Sequence, residues 1–193
     1  MVILLAGLLL FFGIHSVAIV APHWRAARIA RHGEGRWKAL YSVVAGIGLV
    51  LLIVGYGSAR GEPVLLYTPP SMLRHLALLV MVPVFPLLLA AYLPGRIRAA
   101  ARHPMLLAVK LWAVAHLMAN GTLADVLLFG GFLVWAIADR IAVKRRPAAD
   151  AHDAPAAPAG PANDAIAVVG GLALYALFLF GGHRWLIGVS PLG

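Results

Sequence analysis

Long apolar runs alternate with short polar segments along most of this chain. An α-helix rises about 1.5 Å per residue, so roughly 20 apolar residues cross the ~30 Å hydrocarbon core of a bilayer. The runs lie at residues 2–21, 39–57, 72–93, 104–119, 122–138 and 165–187. The fourth and fifth are the shortest, and only Asn120 and Gly121 join them. The pattern predicts an all-α, polytopic membrane bundle of about six transmembrane helices, with helices 4 and 5 forming a short tight hairpin.

Composition supports a lipid environment and excludes several classes of site. Of the 193 residues, 62% are hydrophobic, and the mean hydropathy is +0.90, more than the core of one soluble domain of this size can bury. The chain has no cysteine, which excludes disulfides, thiolate metal sites and a thiol nucleophile.

The net charge of +9 follows membrane topology rather than nucleic-acid binding. Twelve of the 16 Lys and Arg residues lie in the segments 22–38, 94–103 and 139–164, which alternate with the apolar runs. By the positive-inside rule these segments face the cytoplasm. Both termini are then expected on the opposite side, and no nucleic-acid partner is expected.

One segment differs from the rest in composition. Residues 147–163 are rich in Ala and Pro and show no apolar periodicity, which is typical of a flexible linker. The predicted organisation is a five-helix membrane body (1–146), a cytoplasmic linker (147–164) and a sixth transmembrane helix with the C-terminus (165–193).

Two of the eight histidines, His15 and His116, lie well inside apolar runs. At the helical rise they lie roughly 10 Å and roughly 18 Å from the cytoplasmic edge, a difference that helix tilt can absorb. Trp112 and Asn120 are one helical turn before and after His116, so the three share a face, and His15 likewise shares a face with Phe11. The other histidines fall at interfaces or in the linker: His23, His32, His75, His103, His152 and His183.

Two imidazoles on facing helices, flanked by aromatic residues, are typical of bis-histidine ligation of haem b. Helix–helix hydrogen bonding by each histidine is the alternative. A non-haem metal fits less well, because no carboxylate accompanies the pair. The dipeptides Arg74-His75 and His183-Arg184 are expected near the outer surface, as interface anchors, a second metal site or partners for anionic groups.

Several short motifs resemble the NnrU family of bacterial membrane proteins, over most of the chain up to about residue 140. They are Arg102-His103-Pro104, the thirteen-residue spacing from His103 to His116, Ala115-His116-Leu117-Met118-Ala119-Asn120-Gly121, and Ile14-His15-Ser16 followed by a basic segment and Tyr41.

The resemblance implies a multi-pass protein of the bacterial inner membrane that is associated with denitrification through nitrite and nitric oxide reduction, or with redox sensing. The family is similar to the plant zeta-carotene isomerase, a membrane haem b protein. The haem ligands proposed for that enzyme correspond here to His15 and His116, with Trp112 and Asn120 expected beside the cofactor.

Three alternatives to a role in denitrification or redox sensing remain open at this point: an isomerase, an assembly factor and a methyltransferase. A haem-dependent cis–trans isomerase would act on a carotenoid-like polyene entering from the bilayer, whereas a redox protein would need a redox partner. A non-catalytic assembly factor would use its histidines structurally. The Arg-His-Pro motif also resembles the isoprenylcysteine carboxyl methyltransferases, but the later Glu-Glu and Tyr signature of those enzymes is missing from this chain.

Overall fold

The computed structural model describes residues 1–145, 160 and 162–193, and this part of the chain is 81% helical and contains no strand. The all-α prediction is confirmed. In chain order the helices are α1 (Val2–Val20), α2 (Pro22–His32), α3 (Glu34–Ala59), α4 (Ser71–Met81), α5 (Val84–Ala90), α6 (Arg96–Ala101), α7 (Pro104–Ala119), α8 (Leu123–Arg145), α9 (Asn163–Leu177), a π-helical turn (Phe178–Gly182) and α10 (His183–Ile187).

Within the described residues, five helical segments are long and apolar enough to cross a bilayer. They are Val2–Val20, Glu34–Ala59, Ser71–Ala90, Leu123–Arg145 and Asn163–Ile187, while Pro104–Ala119 is a shorter apolar helix. The chain is therefore a multi-pass membrane protein by length and composition. The fifth predicted run continues as a helix to Arg145, because the basic residues of its last turn interact favourably with the negative end of the helix dipole.

Two local features differ from the hydrophobic pattern. The basic segment after the first run forms α2, which begins with Pro22 at its first position and ends at His32, followed by the C-cap Gly33 with φ +84°. The third run is interrupted, since α4 ends at Met81 and α5 begins at Val84. Pro83, between them, has no backbone N–H to donate to the helix and breaks its continuity.

The chain divides into two compact units. Unit 1 comprises Met1–Thr68 and Gly121–Ala142, and unit 2 comprises Pro69–Asn120 and Val143–Gly193. The predicted linker (147–164) lies outside the described residues except for 160 and 162–164, so the predicted three-part organisation stays a prediction.

In unit 1, helices α1 and α3 pack at glycines that leave no room for a side chain. A Cβ at Gly48 would lie 2.8 Å from the Phe11 nitrogen, and one at Gly7 would lie 2.7 Å from the Leu52 nitrogen. A Cβ at Gly55 would likewise meet the backbone of α1. Small residues permit this close approach of two helices in a bilayer, where van der Waals contact drives association.

A buried carboxylate fixes the start of α8. Asp125 is only 4% exposed; its Oδ2 accepts hydrogen bonds from the Thr122 backbone nitrogen (2.8 Å) and hydroxyl (2.6 Å). The Thr122 hydroxyl accepts in return from the Asp125 nitrogen at 3.2 Å, which makes a capping box. The Tyr56 hydroxyl donates to the other carboxylate oxygen at 2.6 Å and so ties α3 to α8.

In unit 2, the start of α9 is held by polar contacts with the α5–α6 connection. The Asp164 carboxylate accepts hydrogen bonds from the backbone nitrogens of Arg96 (2.9 Å) and Ile97 (3.0 Å), the first residues of α6. The side chain of Asn163 donates to the Pro94 carbonyl at 2.7 Å. The two bonds to Asp164 satisfy amide groups that α6 leaves unpaired at its N-terminus.

Candidate functional site

His15 lies in α1, inside an aromatic cluster of unit 1. Its Nδ1 donates to the carbonyl oxygen of Phe11, one turn earlier, at 2.7 Å, and its ring stacks on the Phe11 ring with centroids 4.1 Å apart. Tyr41 of α3 lies 5.1 Å from the imidazole centroid, and Trp135 of α8 lies 5.7 Å away, edge-on. Three helices thus surround one imidazole with aromatic rings.

The hydrogen bond to Phe11 determines which nitrogen of His15 can bind a ligand. A carbonyl oxygen can only accept, so Nδ1 carries the proton. In the neutral ring Nε2 then holds the lone pair, which is the form that ligates a metal.

Trp135 adds a polar group to the His15 cluster. Its indole Nε1 is buried and has no hydrogen-bond partner among the residues that the structure describes. Since buried polar groups are nearly always paired, an unpaired indole N–H calls for a specific explanation, such as an acceptor on a bound ligand. Sequence reasoning did not select Trp135 or Tyr41 for this cluster.

His116 lies in α7, in unit 2, and repeats the local arrangement of His15. Its Nδ1 donates to the Trp112 carbonyl oxygen at 2.8 Å, and the two rings lie 5.0 Å apart. The backbone nitrogen and the side-chain amide of Asn120 both donate to the His116 carbonyl at 2.9 Å, which closes the end of the helix. The structure therefore brings Trp112, His116 and Asn120 together, as the helical spacing predicts.

A further imidazole lies near His116 in the same unit. The ring of His183 has its centroid 6.4 Å from that of His116, and the two ring planes are inclined by 28°. The Nδ1 of His183 donates to the Val189 carbonyl oxygen at 2.7 Å. Sequence reasoning placed His183 beside Arg184 at the outer end of its helix and did not connect it with His116.

The remaining histidines of the described chain do not join these clusters. His75 is an exposed residue of α4, His23 and His32 are exposed in α2, and His103 is the N-cap residue of α7. His152 lies outside the described residues. Across the described ranges, no group of three or more His, Cys, Asp or Glu residues has the geometry of a metal site.

The histidines of both clusters carry the imidazole nitrogens that a haem iron takes from a protein. Haem iron takes four nitrogens from the porphyrin, so one or two imidazoles complete its coordination without a carboxylate or a third histidine. Each histidine in question has its Nδ1 proton held by a carbonyl, the usual outer-shell arrangement of a metal-binding imidazole. His15 belongs to unit 1 and His116 to unit 2, so each fits on the basis of its own surroundings.

Comparison with known protein families identifies the chain's family. The family model described as NnrU protein matches residues 3–191, nearly the whole chain. No curated protein and no solved structure matches the sequence.

Proposed function

The chain belongs to the NnrU family, and from this premise we propose that it is a haem-b-binding protein of the bacterial inner membrane that supports denitrification, through nitrite and nitric oxide reduction or redox sensing. The observation that carries the proposal is an arrangement found twice. An imidazole within an apolar helix donates its Nδ1 proton to a carbonyl one turn earlier and packs on the aromatic ring of that residue, at both His15 and His116.

The chain's own residues prepare each imidazole for iron. The carbonyls of Phe11 and Trp112 hold the ring orientation and the tautomer in which Nε2 carries the lone pair. Hydrogen bonding at Nδ1 also makes the imidazole a stronger donor to a metal. When bound, the haem would supply one-electron redox chemistry.

The aromatic rings around His15 would control access to it. Phe11, Tyr41 and Trp135 come from three different helices and limit the approach of water to the imidazole. The hydrophobicity of the surroundings is one of the factors that set the redox potential of a haem. The Trp135 indole N–H would serve as the donor to a buried acceptor group of the ligand.

The ligand pair that the family resemblance implies is His15 with His116. The test is a reduced-minus-oxidised absorption spectrum of protein purified from cells supplied with a haem precursor. We expect a Soret band that shifts on dithionite reduction, and we expect His116→Ala to abolish it. His75→Ala, a histidine of the same unit exposed on α4, is the matched control and should retain the spectrum. A haem-supplied preparation without a Soret band would refute the proposal.

The proposed topology has a separate test. With both termini in the periplasm, alkaline phosphatase fused to the C-terminus should be active, and green fluorescent protein at the same position should be dark. The opposite pattern would place the C-terminus in the cytoplasm.

The similarity to zeta-carotene isomerase carries a prediction of its own. Co-expression with a cis-carotene substrate should change the isomer ratio if the haem-loaded protein is an isomerase. Unchanged ratios, in membranes where the haem spectrum is present, would leave a redox or sensing role and count against catalysis on a polyene.

A further inference from the structure

The contact between His116 and His183 connects two distant parts of unit 2. The histidines are 67 positions apart in the sequence, yet their ring centroids are 6.4 Å apart and their planes are nearly parallel. With metal–nitrogen bonds of about 2.0–2.1 Å, two imidazoles on opposite sides of one metal have centroids roughly 6 Å apart. The observed separation therefore matches a trans pair of imidazoles.

Both rings have the same tautomer, and each is fixed by a backbone carbonyl. His116 donates from Nδ1 to Trp112 at 2.8 Å, and His183 donates from Nδ1 to Val189 at 2.7 Å. In both neutral rings Nε2 is then the nitrogen with the lone pair. The pair thus presents two ligand atoms of the same kind, each supported as metal-binding histidines usually are.

The backbone before His183 adds an independent observation. A π-helical turn, Phe178–Gly182, lies directly between α9 and α10 and ends at the residue before His183. A π-turn inserts one extra residue into a helix and so rotates the residues that follow it by about 100°, a device found frequently at functional sites. After α10, Gly188 adopts φ +81° and the chain turns so that Val189 meets the imidazole.

We infer that His116 and His183 form a two-imidazole metal site in unit 2, and that His183 rather than His15 supplies the second axial ligand of the proposed haem. The assignment of His183 as an axial ligand rests on the proposed function and replaces His15 in it. The class of ligand is a transition metal that accepts trans nitrogen donors, namely porphyrin-bound iron or, in its absence, a tetragonal ion such as Cu²⁺.

Electron paramagnetic resonance of the haem-loaded protein tests the assignment, since it distinguishes low-spin iron with two imidazoles from high-spin iron with one. His183→Gly should convert the low-spin signal to a high-spin one, and added free imidazole should restore the low-spin signal. His15→Ala and the control His75→Ala should keep it. Circular dichroism of each variant confirms that the helices are retained.

The opposite pattern would overturn the inference and leave the proposed function intact. If His15→Ala loses the low-spin signal and His183→Gly keeps it, the second ligand is His15. Deletion of Gly181 provides a second variant, because its position has nothing within 4 Å of a built Cβ and its loss would remove the extra residue of the π-turn. We expect this deletion to rotate His183 away and to give the same high-spin signal as His183→Gly.

The metal alone separates failure of the inference from failure of the haem proposal. If the wild type binds no haem, Cu²⁺ is added to the purified protein. The nitrogen superhyperfine pattern of the bound Cu²⁺ is then recorded by electron paramagnetic resonance. A two-nitrogen pattern that is lost in His183→Gly but unchanged in His75→Ala supports the pair. A pattern that is identical in wild type and His183→Gly overturns it.

Discussion

Gly48→Ala is expected to destabilise unit 1 by pushing α1 away from α3. The added Cβ would lie 2.8 Å from the Phe11 nitrogen and 3.0 Å from its Cα, both atoms of the α1 backbone. Backbone atoms cannot move aside as a flexible side chain can, so the two helices must separate. Phe11 carries both the ring that stacks on His15 and the carbonyl that accepts its Nδ1 proton, so the imidazole would be displaced as well.

The loss of stability that comes from the contact of the added Cβ with α1 can be isolated with a matched control. Gly46→Ala lies two residues away on α3, where an added Cβ has nothing within 4 Å. Both substitutions gain helix propensity, about 0.8–1 kcal/mol for replacing glycine with alanine. Overpacking of a tight contact costs about 1–3 kcal/mol. Gly48→Ala should therefore be about 1–3 kcal/mol less stable than Gly46→Ala, the propensity gain cancelling in the comparison.

The assay is unfolding by sodium dodecyl sulfate in mixed lipid–detergent micelles, followed by circular dichroism. Gly48→Ala should unfold at a lower detergent fraction than Gly46→Ala. Equal midpoints for the two alanine variants would refute the inferred close packing of α1 on α3.

Three further substitutions test the contacts that build the two units. Tyr56→Phe removes a hydrogen-bond donor from the buried Asp125 carboxylate and should lower the free energy of unfolding by about 1–2 kcal/mol in the same assay. An unchanged midpoint would show that this hydrogen bond adds nothing to stability. Asp164→Ala removes the carboxylate that caps the N-terminus of α6 and should speed amide hydrogen exchange in the first turn of that helix. Exchange at wild-type rates would contradict the capping role. Gly171→Ala places a Cβ against the α5 backbone, whereas the Cβ of the control Gly170→Ala meets only the end of a leucine side chain. Gly171→Ala should therefore be about 1–3 kcal/mol less stable than Gly170→Ala, and equal stabilities would argue against tight packing of α9 on α5.

The helical class and the local surroundings of the histidines could be predicted from the sequence. Lipid cannot hydrogen-bond a backbone, so a long apolar run must satisfy its own amides as a helix. Residues four apart then lie on one face, which predicts that Phe11 meets His15 and that Trp112 and Asn120 meet His116. The structure contains all of these contacts.

Contacts between helices required the tertiary structure. In a soluble helix one apolar face indicates which side is buried, whereas a transmembrane helix is apolar all round and its sequence marks no inner face. For this reason Trp135 beside His15 could not be predicted from hydrophobic periodicity. The same holds for the Tyr56–Asp125 hydrogen bond, between residues 69 positions apart.

What the sequence by itself determined is therefore the helical class, the membrane setting and the one-turn neighbours of His15 and His116, because the helical repeat and the hydrophobicity of lipid act locally. Only the tertiary structure decided which helices contact one another, through glycine fit and scattered polar bonds. It also decided the partner of His116. The π-helical turn before His183 changes the helix register, and a register change leaves no mark on a continuous apolar run.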